Sequence, residues 1–285
     1  YTCKFIYRSY FIKKFNTSSR TQGNFEFKIW LDEADKFVKF INTTFKPLVQ
    51  NNDNVQIFGL TATPDALFKK FNYMYVLPLE KTTNPEYHGW EDNKTIIVND
   101  MMAMTGMEAF IHNVLENVVN VNQKIKSKWY IPANTKKSSH ALVRDLLVEK
   151  GFAVFVVNGD GLALKLPTED RPQYRENKTE QLNKQMLKMY IKYKLNKFPV
   201  AVTGNICVGR GISIMSPEFM FDYAILSNCT KKAEASQNAG RLKGNIKDWK
   251  GYKPPTVFTT AKFDSIAREW EQKSRKLAET AFVND

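Results

Sequence analysis

The sequence predicts an α/β protein built on mostly parallel sheets. Short apolar runs of strand length alternate with longer segments of helical periodicity, and turn-forming loops follow the carboxyl ends of the apolar runs. With 285 residues, 43% of them hydrophobic, the chain can fill more than one core, and two domains are expected.

The elements follow in order. FKIWL (27–31) and VQIFGL (55–60) are short, apolar and flanked by polar residues, so they read as parallel strands joined by a helix over 35–49. MYVLPL (74–79) reads as one more strand. KTTNPEYHGWEDN (81–93) is rich in turn formers and charge, and the domain boundary is placed there. This gives a first domain over 1–82, a linker over 83–103 and a second domain over 104–285. The second opens with a helix over 107–119 and the strand KWYIPA (128–133). A helix over 138–151 follows, with a Ser cap and a terminal Gly. FAVFVVNGDG (152–161) is a strand and its loop, and a long helix covers 178–196. Strands over 198–205, 221–228 and 255–260 and helices over 233–242 and 263–282 complete the chain.

Composition narrows the partners. Lysine and arginine total 42 against 29 acidic residues, a formal net charge of +13, which points to a polyanion and first of all to nucleic acid. The longest apolar runs are strand-sized, far below the roughly 20 residues that span a bilayer, so no membrane segment is expected. Cys3, Cys207 and Cys229 lack the spacing of a zinc site or a disulfide framework, and the chain reads as intracellular. It begins at Tyr1 without the apolar centre of a signal peptide and reads as a cut chain.

Several segments carry candidate chemistry. Behind KIWL stand Asp32, Glu33 and Asp35, which serve equally as an acidic helix start or as carboxylates that hold Mg²⁺ beside a nucleotide. Thr61, Ala62 and Thr63 lie in GLTATP, which by itself is a helix entry with a Thr cap. VTGNICVGRGIS (202–213) has three glycines after a strand, suited to a plain turn or to close approach of backbone to a ligand. SQNAGRLKGN places Gln237 and Arg241 four residues apart, on one helical face. Along 178–197, Leu182, Met186, Met189 and Tyr193 keep core spacing. Lys184, Lys188 and Lys192 repeat on another face, as a solvated surface or a phosphate track. His88, His112 and His140 are too scattered to suggest a metal site or a catalytic base.

Taken in order, these segments resemble the helicase core of superfamily 2 over about residues 25 to 260. LDEAD resembles motif II, TATP motif III, KWYIPANT motif IV, VTGNICVGRGIS motif V and QNAGRLKG motif VI. NGDG (158–161) is similar to the phosphate-contacting loop between motifs IV and V. Thr-Ala-Thr and the glutamine heading motif VI depart from the DEAD-box RNA helicases. They are closer to phage and large-DNA-virus repair motors and to restriction-type motors.

The resemblance implies two RecA-like parallel-sheet lobes, the first incomplete and the second complete, with ATP between them and a nucleic-acid strand across both. DNA is favoured over RNA. It implies that Asp32 binds Mg²⁺ through water, Glu33 activates the hydrolytic water and Asp35 links to the second lobe. Thr61, Ala62 and Thr63 couple nucleotide state to strand binding, and Gln237 and Arg241 reach the triphosphate. Asn134, Gly159 and Thr203 touch the nucleic-acid backbone, and Arg210 and Gly211 shape the motif V loop. A virus-encoded motor of this kind works in the cytoplasm or nucleus of its host.

The pattern departs from the family at three points. None of the 13 glycines is followed by lysine, so the phosphate-cradling Gly-Lys-Ser/Thr loop is expected upstream of Tyr1, in the missing half of the first lobe, and the chain alone is expected to be inactive. The second arginine of motif VI is replaced by Gly244, beside Lys243, and the aspartate of motif V by Ser213. The alternatives are a non-hydrolysing nucleic-acid-binding scaffold and a restriction-type translocase that does not separate strands.

Overall fold

The computed structural model describes residues 27–32, 34–50, 54–60, 85–99, 106–170, 173–174, 180–204, 214–227, 229 and 232–283. The chain divides into two compact units, 1–75 and 76–285.

In the first unit β1 (Phe27–Asp32) and β2 (Val55–Leu60) pair in parallel, with Phe27 opposite Val55 and Asp32 opposite Leu60. Between them a 3₁₀ turn (Ala34–Phe37), α1 (Val38–Phe40), a π turn (Ile41–Phe45) and α2 (Lys46–Gln50) form the expected connecting helix. Pro47 has no N–H to donate to Thr43, which accounts for the widened turn just ahead of it. Ala34, Ile41 and Phe45 are buried against Ile29, Leu31 and Ile57. Trp30 and Phe58 stack across the strand pair at 4.5 Å, and Trp30 is 61% exposed.

The second unit is a mixed α/β layer around an eight-stranded sheet. Its strands are β4 (Lys94–Ile97), β5 (Lys128–Tyr130), β6 (Ala153–Asn158), β7 (Gly161–Lys165), β8 (Gln173–Tyr174), β9 (Val200–Gly204), β10 (Tyr223–Leu226) and β12 (Thr256–Thr259). They run in the order β4-β12-β10-β5-β9-β6-β7-β8, parallel from β4 through β6, with β7 and β8 turned antiparallel. A separate antiparallel pair joins β3 (Tyr87–His88) to β11 (Gly244–Asn245). The central strands β6 and β9 are buried almost throughout because helices cover both faces of the sheet. One face packs Trp129, Val154 and Phe258 under α3 (Met107–Asn113) and α5 (Lys137–Glu149). The other packs Tyr130, Phe155 and Val202 under α6 (Leu182–Lys192), α7 (Lys232–Gly240) and α8 (Ala261–Val283). The small helix α4 (Val121–Lys124) lies between α3 and β5 in the chain. Among the described residues no helix is long and apolar enough to cross a membrane.

The segment 83–103, expected as a linker, supplies β3, β4 and the fully buried Trp90 to the second unit, and three other expectations change in detail. NGDG is not a free loop but a hairpin turn, in which Asn158 Oδ1 accepts from the Asp160 N–H at 2.8 Å and the chain returns as β7. The long helix is shorter than expected and starts at Leu182. Lys136, not a serine, precedes α5, while Gly151 past its end adopts φ +82° as a terminal glycine should. The strand expected over 74–79 lies outside the described residues.

Candidate functional site

Parallel sheets collect function where their strands end. Asp32 closes β1 and Asp35 sits in the 3₁₀ turn behind it. Glu33, Thr61, Ala62, Thr63, Arg210 and Gly211 lie outside the described residues.

In the second unit the candidate residues fall on several elements. Asn134 is exposed just past β5, where its N–H donates to Ser139 Oγ at 3.2 Å and its carbonyl accepts from His140 Nε2 at 2.7 Å. Ser139 Oγ in turn donates to Glu108 Oε1 at 2.7 Å, tying α5 to α3 rather than capping its own helix. Gly159 is exposed at the tip of the β6–β7 turn. Thr203, expected to touch a nucleic-acid backbone, is fully buried in the central strand β9, and its hydroxyl has no partner. Helices cover both faces of β9 around it. Gly204 beside it is required for packing: its φ is +107°, and an added Cβ would stand 2.2 Å from the Val157 carbonyl oxygen.

Gln237 lies on α7, but the helix ends at Gly240 and the next three N–H groups bond back three residues, Arg241 to Asn238 at 3.2 Å. The one-turn spacing therefore breaks before Arg241, which stands half-buried in a tight 3₁₀-like coil. Lys243, beside Gly244, is paired with a carboxylate. Its Nζ lies 2.9 Å from Glu271 Oε2, with the two side chains 14% and 2% exposed. Gly244 pairs with His88 in β11–β3.

Glu271 is the centre of a clasp between the start of the second unit and α8. The Trp90 N–H donates to Glu271 Oε2 at 2.7 Å, and Trp90 Nε1 donates to Asp264 Oδ1 at 2.8 Å. His88 lies in the same clasp, with Nδ1 on the Tyr252 hydroxyl and Nε2 at 2.9 Å from Asn93 Oδ1. Asn93 is oriented by its own amide, which donates to the Trp90 carbonyl. Burial holds the His88 imidazole below its ordinary pKa, against the opposing pull of Asn93 and Asp92.

The sequence reading missed a cavity of about 220 Å³ between α5 and the β6–β7 hairpin. Lys137, His140, Ala141 and Arg144 line it from one face of α5, at the spacing i, i+3, i+4, i+7 that could have exposed it. Val156, Asn158, Asp160, Gly161, Ala163 and Lys165 line it from the hairpin. Lys137 Nζ and Asp160 Oδ1 meet at 2.6 Å across exposed side chains. His140 is 3% exposed, and burial lowers its pKa. On the α6 surface Lys184, Lys188 and Lys192 are exposed; Lys188 pairs with Glu180 at 2.7 Å, and Lys192 Nζ lies 5.3 Å from the Tyr193 ring centre. Among the described residues no group of His, Cys, Asp and Glu is placed to hold a metal.

No protein-family model matches the chain, and no curated protein matches it. Among solved structures the chain is similar to a DEAD box protein from the hyperthermophile Methanococcus jannaschii, at TM-score 0.38 and 14% identity over 93% of this chain. It spans 62% of that protein's length. It is also similar to the C-terminal part of the Fun30 ATPase domain, at TM-score 0.31 and 10% identity over 90% of this chain and 98% of that one. Overlays this loose carry no argument about activity.

Proposed function

We propose that the chain belongs to an ATP-dependent nucleic-acid motor of helicase superfamily 2, with RecA-like lobes, acting on DNA in preference to RNA. The observation that supports this reading is the ordered motif set together with where its described members fall. Asp32 closes β1, Asn134 follows β5, Gly159 follows β6 and Gly204 closes β9, all at carboxyl ends of parallel strands.

Asp32 presents hard carboxylate oxygens, a donor type that suits Mg²⁺ and would hold it through water; there the ion would supply charge neutralisation for the transferring phosphates. Glu33 draws a proton from the attacking water, and Asp35 links the first lobe to the second. Gln237 and Arg241 bring hydrogen-bond donors and positive charge to the triphosphate. Thr61, Ala62 and Thr63 relay nucleotide state to the strand. Asn134, Gly159, Arg210 and Gly211 hold the backbone rather than base edges, so grip is independent of sequence. The net charge of +13 draws the strand in from solution.

The test is ATP turnover by the chain in its full natural sequence context, with and without single-stranded DNA or RNA, beside Glu33→Gln. DNA-stimulated turnover that falls by about 10²–10⁴-fold in the variant is expected. Salt-sensitive DNA binding without turnover would overturn the motor and leave a binding scaffold. If Lys184, Lys188 and Lys192 line a phosphate track, replacing them lowers the salt slope by about 0.7 per lost contact.

A further inference from the structure

We propose that the cavity between α5 and the β6–β7 hairpin binds the phosphate group of a phosphate monoester, either the 5′ end of a nucleic-acid strand or a free nucleotide. The strand-end source rests on the nucleic-acid reading above; the free-nucleotide source stands without it.

The hollow has a simple origin. In the hairpin, Val156 faces Ala163 and Asn158 faces Gly161, so small residues on β7 leave room beside the larger side chains of α5. At about 220 Å³ it is smaller than the roughly 300–1,000 Å³ pockets that enclose whole ligands, so it admits a terminal group.

Charge selects an anion. Arg144 and Asp145 cancel each other through two hydrogen bonds, at 2.8 and 2.9 Å. That leaves Lys137 and Lys165 against Asp160, a formal surplus of one positive charge. The Lys165 ammonium donates to the Glu169 carbonyl, which orders the side chain without neutralising it. The Lys137–Asp160 pair is 64% and 68% exposed, so an arriving phosphate oxygen can exchange for the Asp160 carboxylate at little cost.

His140 selects the monoester. It lines the cavity, its Nε2 is satisfied by the Asn134 carbonyl, and its buried Nδ1 has no partner. A buried polar atom without a partner costs free energy that a ligand can recover. A phosphodiester carries one charge and brings no proton. A monoester carries about −1.5 to −2, with a second pKa near 6, so ester and imidazole together hold a proton that can lie between phosphate oxygen and Nδ1. With that proton on the imidazole the surplus becomes two and matches the dianion.

The experiment compares binding to the full chain of two oligonucleotides that differ only in a 5′-phosphate or a 5′-hydroxyl, followed by direct titration with AMP. At least tenfold tighter binding of the phosphorylated strand supports the proposal with the strand end as source. AMP binding without an end preference supports it with the free nucleotide as source. In either case Lys137→Gln with Lys165→Gln abolishes the effect. Ala163→Leu, which fills the hollow without changing charge, does the same while the melting temperature of both variants stays near that of the parent. No end preference together with no AMP binding overturns the proposal, as does an effect that survives both variants. An intact phosphate preference in a protein with no strand-stimulated turnover would sink the motor reading and leave this one standing.

Discussion

The second unit buries two histidines, and they are buried in different ways. His88 has both ring nitrogens engaged, by the Tyr252 hydroxyl and the Asn93 amide oxygen, inside a clasp whose other members are also paired. His140 has one nitrogen engaged, and the other meets no protein atom that can bond to it. Both are held neutral by burial. The closed arrangement around His88 spends its polar groups on holding the chain together. The open one around His140 leaves capacity beside a cavity lined with lysines.

The largest test of this contrast is on the clasp. Glu271→Ala leaves Lys243 charged and buried and the Trp90 N–H unpaired, and a loss of about 3–5 kcal/mol is expected in urea unfolding. A loss below 1 kcal/mol would mean that water reaches Lys243 and the clasp is not closed. Next, His88→Ala strands Asn93 and Tyr252 and is expected to cost about 2–3 kcal/mol, whereas His140→Ala gives up one hydrogen bond and about 1 kcal/mol. Equal costs would erase the distinction.

Acid sharpens the contrast further. Both folded-state imidazoles have pKa values below the ordinary 6.5, so the unfolded chain takes up protons first. Their stabilising contribution is complete above the ordinary pKa and is lost as pH falls through the folded values. Urea midpoints should therefore drop on acidification below about pH 6.5, and His88→Gln should flatten that drop. The smallest effect belongs to the exposed Lys137–Asp160 pair. Asp160→Asn should change stability by no more than about 0.5 kcal/mol. The same substitution should tighten phosphate binding, because it removes the competing carboxylate.

The alternation of strands and helices was legible because fully covered parallel strands such as β6 and β9 are nearly continuous apolar runs. The edge strand β4 was hidden among turn formers and charges, since an edge needs only a short KTII run to pair with β12. β7 was overlooked because GLALK has the weak alternation of a strand next to the sheet's edge strand, and NGDG was read for its loop rather than for the return it forces. Of the candidate site, Asn134 lies beyond the end of β5 and Gly159 directly after β6. Thr203 does not face outward, because a polar residue in a strand says nothing of how many helices will cover it. Only the α5 side of the cavity was legible, in the spacing of Lys137, His140, Ala141 and Arg144: the hairpin contributes most of the lining, and only the β6–β7 register brings Lys165 to its rim.

The clasp also constrains how the protein is made. Trp90 stands near the first strand of the second unit, yet its main-chain and indole N–H groups are satisfied by Glu271 and Asp264, 181 and 174 residues later. While the chain is being synthesised, the Trp90 indole stays without its final surroundings until α8 has left the ribosome. Opening the chain anywhere between Trp90 and Asp264 would leave the clasp to be closed between two separate pieces, so a nick at the exposed tip of the β6–β7 hairpin tests whether the clasp can hold them together.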